Sequence, residues 1–245
     1  MKRTLIIGAT SAIAEEFARI SIENGDYLFL AARSPAKLQT VAEDLKVRGG
    51  KKVCTSVMDA LDCGSHESLL RAAVEALGGL DTVLIAHGVL GDQKAAERDY
   101  RVAEREYQVN FLSAVSILTH VAFWFEKQRQ GTIAVISSVA GDRGRQSNYI
   151  YGSAKGALSI YLSGLRNRLY QAGVSVVTIK PGFVDTPMTS HLKKSLLFAS
   201  PRMVAAGIYR AIERRRDVVY IPGFWFGIMT VIRLVPETLF KRLKL

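Results

Sequence analysis

Several things are scarce in this chain of 245 residues. It has two cysteines, Cys54 and Cys63, too few for a disulfide framework, so a reduced cytoplasmic chain is expected. Its four histidines, His66, His87, His120 and His191, are scattered and no C-x-x-C occurs, so no metal site is expected. No segment reaches the roughly 18 uninterrupted apolar residues of a membrane span. The nearest approach, "YIPGFWFGIMTVIRLVP", is broken by Pro222, Arg233 and Pro236. The opening "MKR", apolar run and "AIA" imitate a signal peptide, but Gly8 interrupts the run and Glu15 and Glu16 follow it, which excludes that reading. Repeats, linkers and low-complexity stretches are absent, so a single domain over 1–245 is expected, ending in an apolar and basic segment at 221–245. Acidic residues are also short: 22 against 33 Lys and Arg, a net charge of +11 and a pI near 9.8. Such a charge attracts something anionic, whether nucleic acid, an acidic membrane surface or a phosphorylated substrate. The cations are dispersed, thickest at 210–216 and 241–244, without the aromatic-interleaved basic face of a nucleic-acid binder, so no nucleic-acid partner is expected.

What is present is an alternation. Short apolar runs rich in β-formers read as strands at 4–8, 27–32, 52–58, 82–88, 131–138, 175–181 and 218–222. Helical patterns fill the intervals at roughly 12–24, 35–48, 65–77, 100–129, 150–172 and 201–215, several closed by glycine as in "ENGD", "LGGLD" and "QAGVS". Continuous apolar strands separated by helices predict a doubly wound α/β fold: a parallel, Rossmann-type sheet covered on both faces.

In such sheets the first strand-to-helix turn is the usual phosphate site. Here it is "GATSAIA", which keeps only Gly8 and has Ala12 and Ala14 where further glycines are usual. Gly8 allows the tight turn, Thr10 and Ser11 can cap the helix and offer hydroxyls, and the first amides of the helix, at Ile13 and its neighbours, face an anion. By itself the stretch reads equally well as an ordinary turn. The second strand then ends in "LAARSPAK", with no acid to take a ribose 2′-hydroxyl and with Arg33 and Lys37 in its place. A guanidinium there pairs with a 2′-phosphate, which favours NADP(H) and leaves NAD(H) as the alternative.

The most informative stretch is "SSVAGDRGRQSNYIYGSAKGAL". Tyr151 and Lys155 are four apart and share a helix face. One Y-x-x-x-K means little, since nine tyrosines give about half an occurrence per chain by chance. This one opens a helix after a strand ending in Ser137-Ser138, and Ser138 precedes Tyr151 by thirteen residues.

With these motifs the chain resembles the short-chain dehydrogenase/reductase family along nearly its whole length. The resemblance rests on Gly8 with "ATSAIA", Asn110 in "YQVNFLSAV", Ser138, Tyr151 with Lys155, and "KPGFVDT" at 180–186. It implies that Tyr151 is the general acid for a ketone oxygen, that Lys155 favours the phenolate and holds the nicotinamide ribose, that Ser138 hydrogen-bonds the substrate and that Asn110 anchors a water. It also implies cofactor contacts from Pro181, Gly182, the Val184 backbone, the Thr186 hydroxyl and Asp59. Two departures stand out: the alanines at 12 and 14, and Ala86, His87 and Gly88 where the family has "NNAG", so that contacts there fall to the backbone.

A narrower likeness lies in that same "SSVAGDRGRQSNYIYGSAKGAL", "GVLGD", "MTSHLKK" and the tail "VIRLVPETLFKRLKL", which resemble decaprenylphosphoryl-2-keto-ribose reductases. This implies a keto-pentose on a polyprenyl phosphate, reduced in the second half of an epimerisation whose first half belongs to a flavin oxidase partner. That family's use of NADH is at odds with Arg33, which we follow in favouring NADP(H). The tail sets Phe224, Trp225, Phe226, Ile228 and Met229 beside Arg233, Lys241, Arg242 and Lys244. Such a segment suits peripheral contact with the inner face of an anionic membrane, or else closes the core or a subunit interface. Arg143, Arg145, Lys193 and Lys194 fall in loops expected to flank the substrate, where a phosphate could dock. The family also implies a homo-oligomer. Two alternatives stay open: a reductase of an unrelated small or lipid ketone, since the machinery is indifferent to what lies beyond the carbonyl, and a non-catalytic NADP-binding regulator, which would have no need of a poised proton donor.

Overall fold

A computed structural model describes residues 1–190 and 193–243. Seven strands, β1 (Arg3–Ile7), β2 (Tyr27–Ala32), β3 (Val53–Val57), β4 (Thr82–Ile85), β5 (Gly131–Ile136), β6 (Val174–Pro181) and β7 (Val218–Ile221), form one sheet in the order β3-β2-β1-β4-β5-β6-β7. Every pairing is parallel. The five inner strands are buried on both faces, which is why they read as continuous apolar runs rather than alternations, while the edge strands β3 and β7 are partly exposed. The strand order reverses between β1 and β4, and a crevice opens there beyond the carboxyl ends.

Helices α1 (Ala12–Glu23), α2 (Pro35–Val47) and α8 (Pro201–Glu213) cover one face, burying Phe17, Ala18, Leu38, Leu45, Val204 and Ile208. Helices α3 (His66–Leu77), α6 (Ser113–Gln128) and α7 (Tyr149–Tyr170) cover the other with Leu70, Ala73, Leu118, Phe125, Leu158 and Leu162. Between them lie α4 (Gln93–Ala96) and α5 (Tyr100–Tyr107), and the chain closes with α9 (Phe224–Leu234) and α10 (Glu237–Phe240).

The expected helix over 100–129 has the length and apolarity of a membrane span, but its apolar stripe is spent on the sheet. It is also not one regular helix: a π-turn at Gln108–Leu112 joins α5 to α6. Such turns cluster at functional sites, and this one carries Asn110. Two expected strands run too long. The β1–β4 ladder ends at Ile7↔Ile85 because β1 turns away at Gly8, and the β5–β6 ladder ends at Ile136↔Ile179. Residues 86–88 and 137–138, read as strand, are therefore loop, free to form the wall of the crevice.

Candidate active site

A cavity of about 970 Å³ fills that crevice. Its first end is built by the turn after β1. Gly8 has φ +81, and a Cβ there would sit 2.5 Å from the His87 nitrogen, so the turn can pass β4 only as glycine. The Gly8 and Ala9 amides both donate to Ala31 O, tying the turn to β2. Ser11 caps α1, its hydroxyl accepting from the Ala14 amide, and Thr10, Ser11, Ala12 and Ile13 line the cavity. Ala14 is fully buried against the sheet, so it replaces only a packing glycine; Ala12 is the alanine that faces the cavity.

Across the cavity, Pro181, Gly182, Val184 and Thr186 line the wall after β6. Phe183 O and the Asp185 amide are spent on Ala199, and the Val184 carbonyl accepts from Thr189. A methyl group on Gly182 would overlap the Trp225 indole, so this glycine exists to let α9 lie over the loop. Trp225 and Met229 are buried with Val139 and Phe183, and Phe183 stacks on Phe198 at 5.3 Å. The inner face of the C-terminal segment thus closes the core beside the site. Its outer face, with Phe224, Phe226, Val231 and Leu234, is exposed.

Ser138, Tyr151, Lys155 and Asn110 all line the same cavity. Ser138 ends the loop after β5; its oxygen accepts from the Ala140 amide at 3.1 Å, which leaves its O–H to donate. Burial pushes the Tyr151 phenol up to about 12; a hydrogen bond with Ser138 pulls it down and the Glu106 charge raises it. Burial pushes Lys155 down to about 8, against the raising effect of Glu106. Its ammonium donates to Ile136 O at 3.0 Å and lies 5.9 Å from the Tyr151 ring. In this arrangement the Lys155 ammonium is turned to the Ile136 carbonyl, and burial is the largest influence on the phenol.

Asn110 is buried, and its side chain donates to Val89 O and accepts from the Val89 amide, both at 3.0 Å. One turn earlier, buried Glu106 accepts from the Gly91 amide at 3.2 Å. Together they grip the loop 88–91. Gly88 is needed because a Cβ there would lie 2.8 Å from Asn110 Oδ1, and one on Gly91 would overlap the Glu106 carboxylate. His87 lines the cavity and hydrogen-bonds Ser113 at 2.8 Å; burial and then Lys155 push it down to about 3, so it is neutral. Ala86 and Gly88 line the wall on either side.

Not every expected residue reaches the cavity. Arg33 directly follows β2 and is exposed, and Lys37 lines the cavity where Arg33 does not. Asp59 is exposed and accepts from the Leu61 amide. Arg143 does not face a substrate. It donates to Ile232 O and Val235 O at 2.6 Å each and to Glu237 at 2.9 Å, and it stacks 3.6 Å from the Phe240 ring. The cause is that the tail folds back over its loop. Lys194 pairs with Asp185, and neither it nor Lys193 lines the cavity. His191 and Lys244 lie outside the described residues. Glu106 and Asn148 also line the cavity, and neither is singled out in the sequence; the one available signal was an acid one helical turn before Asn110.

The donor set suits a dinucleotide: capped helix amides at one end, a glycine-lined wall, and a buried lysine beside a phenol. Comparison with known proteins agrees. The family model for short chain dehydrogenases matches residues 2–196. An uncharacterized oxidoreductase of Mycobacterium tuberculosis is 36% identical over 239 residues, covering 98% of this chain and 96% of the relative. One from Streptomyces coelicolor, encoded in the mprA 5′ region, is 38% identical over 240 residues, covering 98% and 94%. Among solved structures, an actinorhodin polyketide ketoreductase with NADPH superposes with TM-score 0.82 at 21% identity, covering 91% of this chain and 97% of its own. Levodione reductase superposes with TM-score 0.83 at 20% identity and the same coverage. At those identities the structures speak for the fold.

Proposed function

The chain belongs to the short-chain dehydrogenase family and is an NAD(P)-dependent oxidoreductase, and on that premise we propose that it reduces a ketone to a secondary alcohol with Tyr151 as proton donor. The observation that carries this reading is the convergence of Ser138, Tyr151, Lys155 and Asn110 on one cavity whose far end is the capped start of α1. The reduced nicotinamide supplies the hydride. Thr10, Ser11, Ile13, Ala86, His87 and Gly88 would hold the cofactor from one wall, and Pro181, Gly182, Val184 and Thr186 from the other, with Gly8 setting the turn.

The O–H of Ser138, which in this arrangement is shared with Tyr151, would orient the ketone oxygen, and Tyr151 delivers its proton to that oxygen. A phenol near 12 gives up a proton poorly at neutral pH. The Lys155 ammonium is the charge that can favour the phenolate once it is drawn from Ile136 O toward the phenol. Asn110 and Glu106 keep the loop 88–91 in register. A water held near Asn110 would return the proton through Lys155.

Arg33 favours NADP(H) over NAD(H), because its exposed guanidinium stands at the end of β2 where no acid competes for a 2′-phosphate; Asp59, exposed after β3, would meet the adenine. The substrate reading is a keto-pentose on a polyprenyl phosphate. Its support is the resemblance in "GVLGD" and the tail, together with the exposed apolar face of α9 bordered by Arg233, Lys241 and Arg242. That face suits peripheral contact with an anionic membrane from the cytoplasmic side, beside a flavin oxidase that forms the ketone. Exposed Leu112, Phe123, Ile160 and Tyr170 on and beside α6 and α7 suit a homo-oligomer interface. The test is oxidation of NADPH and NADH with a panel of ketones that includes a lipid-phosphate 2-keto-pentose. Rapid turnover of that substrate with NADPH is expected; turnover of only unrelated ketones would refute the substrate, and no cofactor binding would refute the reading.

A further inference from the structure

The loop between Ser138 and Tyr151 carries two arginines with opposite fates. Arg143 spends its guanidinium on the C-terminal segment. Arg145, two residues on, lines the cavity that holds Tyr151, and its buried Nε has no hydrogen-bond partner. Burial alone pushes its guanidinium below the ordinary value, with no carboxylate opposing. The acids that share the cavity are otherwise engaged: Asp92 accepts from the Lys94 and Ala95 amides, and Glu106 accepts from the Gly91 amide. An arginine stays charged in proteins, and a charge that is partly desolvated, as in this half-buried residue, without a counter-ion is costly. The cost makes sense if the counter-ion arrives with a ligand.

A second departure lies three residues further on. Asn148 stands at the N-cap of α7, where an asparagine side chain ordinarily accepts from the helix amides. It makes no such bond, and its buried Oδ1, which also has no partner, belongs to a residue lining the same cavity. A hydroxyl of a ligand would satisfy it.

We infer that Arg145 is a specificity-determining residue that binds an oxyanion of the substrate, a phosphate group, with Asn148 accepting from a substrate hydroxyl beside it. The inference rests on the ketoreductase reading and narrows it to hydroxylated ketones that carry phosphate. The phosphate could belong to a lipid or to a small soluble molecule, and Arg145 would recognise either through its planar fork.

The test is calorimetric titration of the full chain saturated with NADP+, using dihydroxyacetone phosphate and unphosphorylated dihydroxyacetone. Wild type is expected to bind the phosphorylated ketone at least about 30-fold more tightly, the scale of one charge-assisted contact. Arg145→Met is expected to abolish that preference and Arg145→Lys to keep part of it, while both variants bind NADP+ as wild type does, which shows them folded. Equal binding of the two ketones by wild type would overturn the inference, as would a preference that survives in Arg145→Met. Displacement of the phosphorylated ketone by decyl phosphate and by inorganic phosphate then identifies the source. Stronger displacement by decyl phosphate supports a lipid phosphate; equal displacement supports a soluble one. NADPH oxidation with the same ketones reports on the ketoreductase reading separately. Preference without turnover would leave the anion site standing and count against the reductase; turnover without preference would do the reverse.

Discussion

Replacing Arg143 with alanine separates a structural arginine from a substrate-binding one. The Arg143 side chain is 14% exposed and donates to two carbonyls, Ile232 O and Val235 O, at 2.6 Å. Hydrogen bonds from a charged donor contribute about 1.5–3 kcal/mol each. The bridge to Glu237, which is 77% exposed, adds at most about 1 kcal/mol. The stack on Phe240 adds about 0.5–1 kcal/mol. These terms are not additive, and the freed carbonyls regain water, so a net loss of about 3 kcal/mol is the reasonable expectation. That raises the open population of the C-terminal segment about 150-fold. Hydrogen exchange reads it directly. The amides of Val235, Leu239, Phe240 and Lys241, bonded to Val231, Pro236 and Glu237 carbonyls, should exchange about two orders of magnitude faster in the variant. The amides of β4 and β5 should be unaffected. Unchanged protection at 235–241 would refute the pinning role and return Arg143 to the substrate loop.

Other consequences follow from the same geometry. Gly8→Ala should destabilise more than Gly49→Ala, because both carry the left-handed cost of about 1–2 kcal/mol but only Gly8 also meets His87; equal losses by denaturant titration would contradict the close approach. Gly182→Ala should expel Trp225, red-shift the tryptophan emission and cost about 1–3 kcal/mol, and the loss should shrink in a Trp225→Ala background; additive losses would show that the two do not meet. In the free enzyme Lys155 loses its proton near pH 8, so kcat/KM should fall above that pH. Glu106→Gln removes a charge that favours the ammonium and should move this limb to lower pH; a limb that stays in place would remove Glu106 from the site's electrostatics. Arg33→Asp should shift preference from NADPH toward NADH, and an unchanged ratio of kcat/KM values would sink the 2′-phosphate argument.

The sheet was legible because its five inner strands are buried on both faces and because α1, α2 and α8 open on a capping serine while α3 closes on a glycine. The edges of β4 and β5 were not, since "AHG" and "SS" continue the apolar or β-forming pattern past the point where the neighbouring strand turns away. The candidate catalytic residues could be brought together from spacing, because a helix fixes Tyr151 and Lys155 on one face, while the roles proposed for them come from the family resemblance. Long-range partners were invisible. Nothing in "GDRGR" says that Arg143 is taken by a tail ninety residues later while Arg145 is left free, and nothing around Gly182 says that Trp225 lies on it. The π-turn at Asn110 was likewise hidden, because its sequence keeps a helical pattern throughout.

The central claim is that Tyr151 gives the proton in a reduction at this cavity, and a single comparison tests it. NADPH oxidation with a ketone substrate should fall by about 10²–10⁴-fold in kcat in Tyr151→Phe, while NADPH binding, measured by its fluorescence on titration, stays within about twofold of wild type. A variant that binds NADPH and turns over at the wild-type rate would contradict the account.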